Sequence, residues 1–150
     1  MEPAATTTAT EGFCVASGGL LVLNGVYDLV CALAMVLMFG PTGDGCCDVV
    51  ADLHADMLEV EVRIAQPAVQ RFWGYWIATH GCIRIAAGVG LRENRVLALL
   101  AALSLFVEGA GLVYEAFAKR TVIRWKAGCV ALLSIAVGIL AVVGGLVCLR

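Results

Sequence analysis

The chain has 150 residues, of which 61% are hydrophobic and only 15% charged, and its formal net charge is -2. A soluble domain of this size usually carries about 25% charged residues, and here the charges cluster between long apolar runs, as they do in proteins that cross a membrane. This composition excludes a separate soluble domain and a basic face for nucleic acid.

Residues 1–12 carry no Lys or Arg, so neither the basic start of a secretory signal nor the arginines of a mitochondrial presequence is present. They are expected to form a short flexible tail ahead of a single domain over 13–150. The first apolar run, 13–40, exceeds the ~20 residues needed to span a bilayer and is stopped by Pro41, Gly43 and Gly45. Asn24 and Asp28 lie within it, one helical turn apart on one face.

Residues 41–67 differ in character. Val49, Leu53, Met57, Val60 and Ile64 recur at helical spacing, with Asp48, Asp52, Asp56 and Glu59 on another face. The pattern predicts an acidic amphipathic helix over 47–65, ending near Pro67 and lying along the bundle surface. Its acidic face is either solvated or a docking surface for a basic partner. Cys46 and Cys47, just beyond the first span, are candidates for S-palmitoylation.

The stretch 71–90 reads RFWGYWIATHGCIRIAAGVG and places His80 and Arg84 one turn apart in an apolar setting. It is expected to be the second span. A tight polar turn over 91–95 leads to a third span, 96–118, with Ser104, Glu108 and Glu115. A basic loop over 119–126 leads to an uncharged fourth span, 127–149, whose glycines suit close packing in lipid. The expected fold is therefore all-α, an integral membrane four-helix bundle of antiparallel neighbours joined by short loops.

Four spans place both termini on one side. Loops one and three carry Arg63, Arg71, Lys119, Arg120, Arg124 and Lys126, against Arg92, Arg95 and Arg150 on the other side. The positive-inside rule then puts loops one and three in the cytosol and the termini outside or in a lumen. Arg71, Trp73, Tyr75, Trp76, Tyr114, Glu115 and Trp125 fall near the cytosolic interface, and the aromatic members form an anchor belt there.

Charges at membrane depth cost about 2.5–3.5 kcal/mol each on insertion scales and are usually paired. At 1.5 Å rise per residue, His80 and Asp28 sit ~16 Å from the luminal interface, Arg84 and Asn24 ~10 Å from it, and Glu108 about one turn deeper than His80. Arg84 can thus reach Asp28 or Asn24, and His80 can reach Asp28 or Glu108. Asn24, Asp28, His80, Arg84 and Glu108 form one candidate polar cluster, which either locks three helices together or marks a proton or ligand site.

No catalytic residues, metal ligands or cofactors are expected. The cysteine spacings match neither a zinc site nor a disulfide framework, and Cys31, Cys82, Cys129 and Cys148 read as small hydrophobes. A single histidine within the spans argues against a six-coordinate haem. Cys82 and His80, two residues apart, point to different helix faces and make a poor nucleophile–base pair.

Arg71, Gly74 and Trp76, then Ile83 and Arg84, then Glu115, Phe117 and Thr121 set up a resemblance. From residue 68 onward the chain resembles the four-span endoplasmic reticulum scaffold family that tethers the sterol C4-demethylation enzymes. The resemblance implies a non-enzymatic scaffold or accessory subunit in an internal membrane, whose partners are lipids and other membrane proteins or further copies of the chain. The alternative is a small proton-coupled transporter. An acid in the first of four spans is similar to the arrangement in small multidrug antiporters, with Asp28 as the proton carrier.

Overall fold

The structure, a computed structural model, describes residues 4–38 and 67–148. The predicted amphipathic helix at 47–65, together with Cys46 and Cys47, lies outside the described residues. Those residues are helical throughout apart from short connections, with no strand among them. Four helices follow in order: α1 (Ala4–Met38), α2 (Pro67–Val89), α3 (Arg95–Tyr114) and α4 (Arg124–Val147), with a π-helical turn (Glu115–Lys119) extending α3.

Several boundaries differ from the sequence reading for identifiable reasons. The expected tail over 1–12 is helical from Ala4, where alanines supply the propensity that the threonines lack. α2 begins at Pro67, ahead of the expected start at Arg71, and proline suits the first position of a helix because it has no N–H to donate. Asn94 caps α3, its side chain accepting from the backbone N–H groups of Val96 and Leu97 at 3.0 and 3.4 Å. Arg120 ends the π-helical turn at φ 60°, the left-handed geometry that terminates a helix. Three helical segments, Thr8–Val36, Arg95–Lys119 and Arg124–Val147, are long and apolar enough to cross a membrane. The segment α2 is not among them, because Arg84, His80 and its Trp and Tyr residues lower its hydropathy.

Helices α1 and α2 pack along their length through a glycine repeat. Gly18 faces Gly88, Gly25 faces Gly81, and Gly74 faces Ala32, so each step of seven along α1 is matched by seven back along α2. A seven-residue repeat keeps one seam in contact between two helices, and glycine lets the backbones touch. A Cβ at Gly25 would lie 2.6 Å from the carbonyl oxygen of Gly81. In the α3–α4 pair, the ring of Phe106 fills the space above Gly138, and Ala98 packs against Gly145.

The two hairpins share a core at one end only. Near the α2–α3 turn, Cys14, Leu21, Ala87, Leu91, Ala98, Leu105, Val137 and Ala141 form one cluster drawn from all four helices and the turn. Leu91, expected in a polar turn, is 1% exposed and plugs this end. At the opposite end the core divides. Ala32, Met35 and Ile77 join α1 to α2, while Leu112, Ala116, Val122, Ala127 and Ala131 join α3 to α4.

A disulfide between Cys14 and Cys148, with Cα atoms 5.6 Å apart, ties α1 to the end of α4 at the undivided end. This corrects the reading of Cys148 as a simple hydrophobe. The partners are 134 residues apart, and only the antiparallel order of four helices brings them together. The interior is made largely of Ala, Gly, Ser and Cys, while Leu23, Leu33, Val96, Leu103, Leu132 and Ile139 face outward. Small residues inside and large apolar ones outside is the arrangement expected against lipid.

Substituting Gly81→Leu is expected to destabilise the protein by at least the ~1–3 kcal/mol typical of overpacking. Gly19→Ala, where an added Cβ meets nothing within 4 Å, should be neutral or gain up to about 1 kcal/mol through helix propensity. Thermal unfolding in mild detergent separates the two, and equal losses would contradict the close α1–α2 approach.

Candidate functional site

Arg84 is 1% exposed in the middle of the molecule, on the face of α2 that meets α1 and α3. A guanidinium carries five N–H donors in a fixed planar fork, and three helices supply acceptors around it. Nη1 donates to Asp28 Oδ2 at 2.6 Å and to Asn24 Oδ1 at 3.0 Å, both on α1. Nη2 donates to the carboxylate of Glu108 on α3, and Nε donates to Ser104 Oγ at 3.2 Å on the same helix. Ser104 donates in turn to the carbonyl oxygen of Ala101 at 2.8 Å. All three guanidinium nitrogens are therefore engaged, two of them by carboxylates in the strong charge-assisted geometry.

The spacing explains the convergence. Asn24 and Asp28 stand at i, i+4 on α1, and Ser104 and Glu108 stand at i, i+4 on α3. Each pair presents two acceptors on one helix face. Ser104 is the member that sequence reasoning left out of the cluster, and its spacing from Glu108 was the available signal. Glu108 meets Arg84 rather than His80.

His80 makes a local contact instead. Trp76 Nε1 donates to His80 Nδ1 at 2.9 Å, one turn away on α2, and the rings stack edge to face with centroids 5.2 Å apart. An accepting Nδ1 places the proton of a neutral imidazole on Nε2.

A cavity of about 470 Å³ opens beside this cluster, between the parted ends of the hairpins. Arg84, Asp28 and Glu108 form its inner end, His80 and Trp76 its wall, and Glu115 and Thr121 its outer end. By helical rise, the distance from Arg84 out to Trp73 is ~16 Å. Thr121 closes the far end by donating its hydroxyl to the Glu115 carboxylate and its N–H to the Glu115 carbonyl at 3.2 Å.

The predicted interfacial residues divide into two groups. Tyr75, Tyr114 and Trp125 are exposed on the outside, and Lys119 lies over the ring of Tyr114 at 5.6 Å. Trp73 and Glu115 line the cavity, and Trp76 lines it while also being exposed on the outside. Arg71 is half-buried at the start of α2. Among the described residues, no group of three or more His, Cys, Asp or Glu side chains could hold a metal ion.

The cluster predicts an asymmetric mutational response. Arg84→Leu leaves two carboxyl groups without their cation and should cost roughly the 3–5 kcal/mol of a broken buried pair. Asp28→Leu leaves Arg84 held by Glu108 and should cost less. The double variant Arg84→Leu/Asp28→Leu should recover part of the Arg84→Leu loss. Thermal unfolding of the three variants is the measurement, and strictly additive losses would contradict direct pairing.

Comparison with known proteins finds no matching family, no curated relative and no matching solved structure.

Proposed function

We propose that the chain is a non-catalytic multi-pass membrane protein that serves as a scaffold or accessory subunit for membrane partners. The observation that carries this reading is the clamp on Arg84. Acceptors from α1 and α3 hold a cation on α2, so three helices are locked in one mutual arrangement. A buried ionic network can specify geometry without adding much stability, which suits a body that presents fixed helix faces. The exposed apolar residues of α1, α3 and α4 supply surfaces for lipid and for neighbouring helices.

All four helices cross the bilayer in this reading. α2 has 23 residues, a length of about 34 Å, and its glycines follow α1 from Gly18 to Ala32. If α1 spans the bilayer, α2 is carried to the same depth. The termini lie outside or in a lumen, and loops one and three lie in the cytosol. Two observations support this orientation. Loops one and three carry more Lys and Arg, and the Cys14–Cys148 disulfide lies at the termini end, where an oxidising compartment would keep it.

The second reading is a proton-coupled transporter using Asp28. It is favoured by the two carboxylates, Asp28 and Glu108, that face one guanidinium beside a cavity. Against it, Asp28 is 4% exposed and held at 2.6 Å by Arg84, so proton uptake would require the clamp to open.

Two measurements test the proposal. In sealed vesicles, an impermeant thiol reagent should label Cys46 and Cys47 from the cytosolic side only, and labelling from the luminal side would reverse the orientation. Purified wild-type protein in liposomes should show no proton-coupled flux while still co-purifying with its membrane partners in mild detergent. Flux that Asp28→Leu abolishes would replace the scaffold with the transporter.

A further inference from the structure

The cavity between the hairpins has a chemistry that the clamp does not use. Three carboxyl groups line it, from Asp28, Glu108 and Glu115, against a single guanidinium, Arg84. Each nitrogen of that guanidinium is already bonded within the chain, so an anionic visitor would find an excess of acid and a cation whose nitrogens are engaged. Glu108 gives one oxygen to Arg84 and keeps a side chain 27% exposed. Glu115 gives one oxygen to Thr121. Both carboxylates have a second oxygen that can accept from a donor inside the cavity. Trp76, whose ring face attracts a cation, and His80 line the same cavity.

The remaining wall is apolar, with Ile77, Val107 and Leu112 among its residues. A volume of about 470 Å³ lies in the range of sites that enclose a small organic molecule. We propose that this cavity binds a slender amphiphile with a protonated amine head, the ammonium lying between Glu108 and Glu115 and the hydrocarbon body along the apolar wall. A phospholipid headgroup fits poorly, because its phosphate would be brought against the same carboxyl groups. A single-chain amine carries no such group. The site does not rest on the scaffold reading, because it is argued from the residues that line the cavity alone.

Gly111 provides a way to fill the cavity without disturbing the helices. It lines the cavity, and a Cβ added there meets nothing within 4 Å. Replacement by leucine also raises helix propensity. The test uses full-length protein in phosphatidylcholine nanodiscs, with dodecylamine, dodecanol and dodecanoate as chain-matched probes and calorimetric titration as the readout. Dodecylamine is expected to bind the wild type at least about tenfold more tightly than either other probe, the discrimination given by one charge-assisted hydrogen bond. Glu115→Gln should reduce its affinity about tenfold on the same basis, and Gly111→Leu should abolish binding. Thermal unfolding confirms that both variants are folded. Equal binding of the three probes to the wild type, or amine binding unchanged by Gly111→Leu in folded protein, overturns the proposal. The flux and co-purification measurements are unaffected by either result.

Discussion

An arginine with almost no exposure has to find its hydrogen-bond partners inside the protein, and in this chain three helices meet that demand together. Asn24 and Asp28 come from α1, and Ser104 and Glu108 from α3. None of these acceptors reaches Arg84 unless the helices lie in one particular register. The glycine seam between α1 and α2 sets that register, because Gly18 against Gly88 and Gly25 against Gly81 bring the backbones close enough for a side chain on α2 to bond across to α1. Packing and polar satisfaction thus point to the same register.

The parts of this arrangement that follow from a regular helical rise could be read from the sequence. Depth alone matched Arg84 with Asp28 and Asn24, since residues at equal height on antiparallel helices face one another. Existence of the four helices was equally legible, as apolar runs separated by charge. What depends on side-chain reach was not. The long Arg84 side chain extends to Glu108, which the depth estimate had left near His80. His80 in turn is occupied by Trp76, a neighbour on its own helix.

Features that arise only from the assembled bundle were also hidden. The Cys14–Cys148 pair joins the two ends of the described chain, and no local spacing reveals it. The cavity is a gap between two separately packed pairs of helices, so it leaves no periodic trace. Trp73 and Trp76 fit an interfacial belt by position, yet they face the gap as well as the surface.

The undivided core and the disulfide pin all four helices at one end, while the other end holds two separate pairs. Such a body has a pivot and two arms. From the Leu91 level to the Trp73 level each arm is ~27 Å long. Arg84 is anchored to α2 yet bonded to Glu108 and Ser104 on the opposing arm, closer to the pivot than to the tips. It ties the two arms together across the crotch of the fork through those bonds.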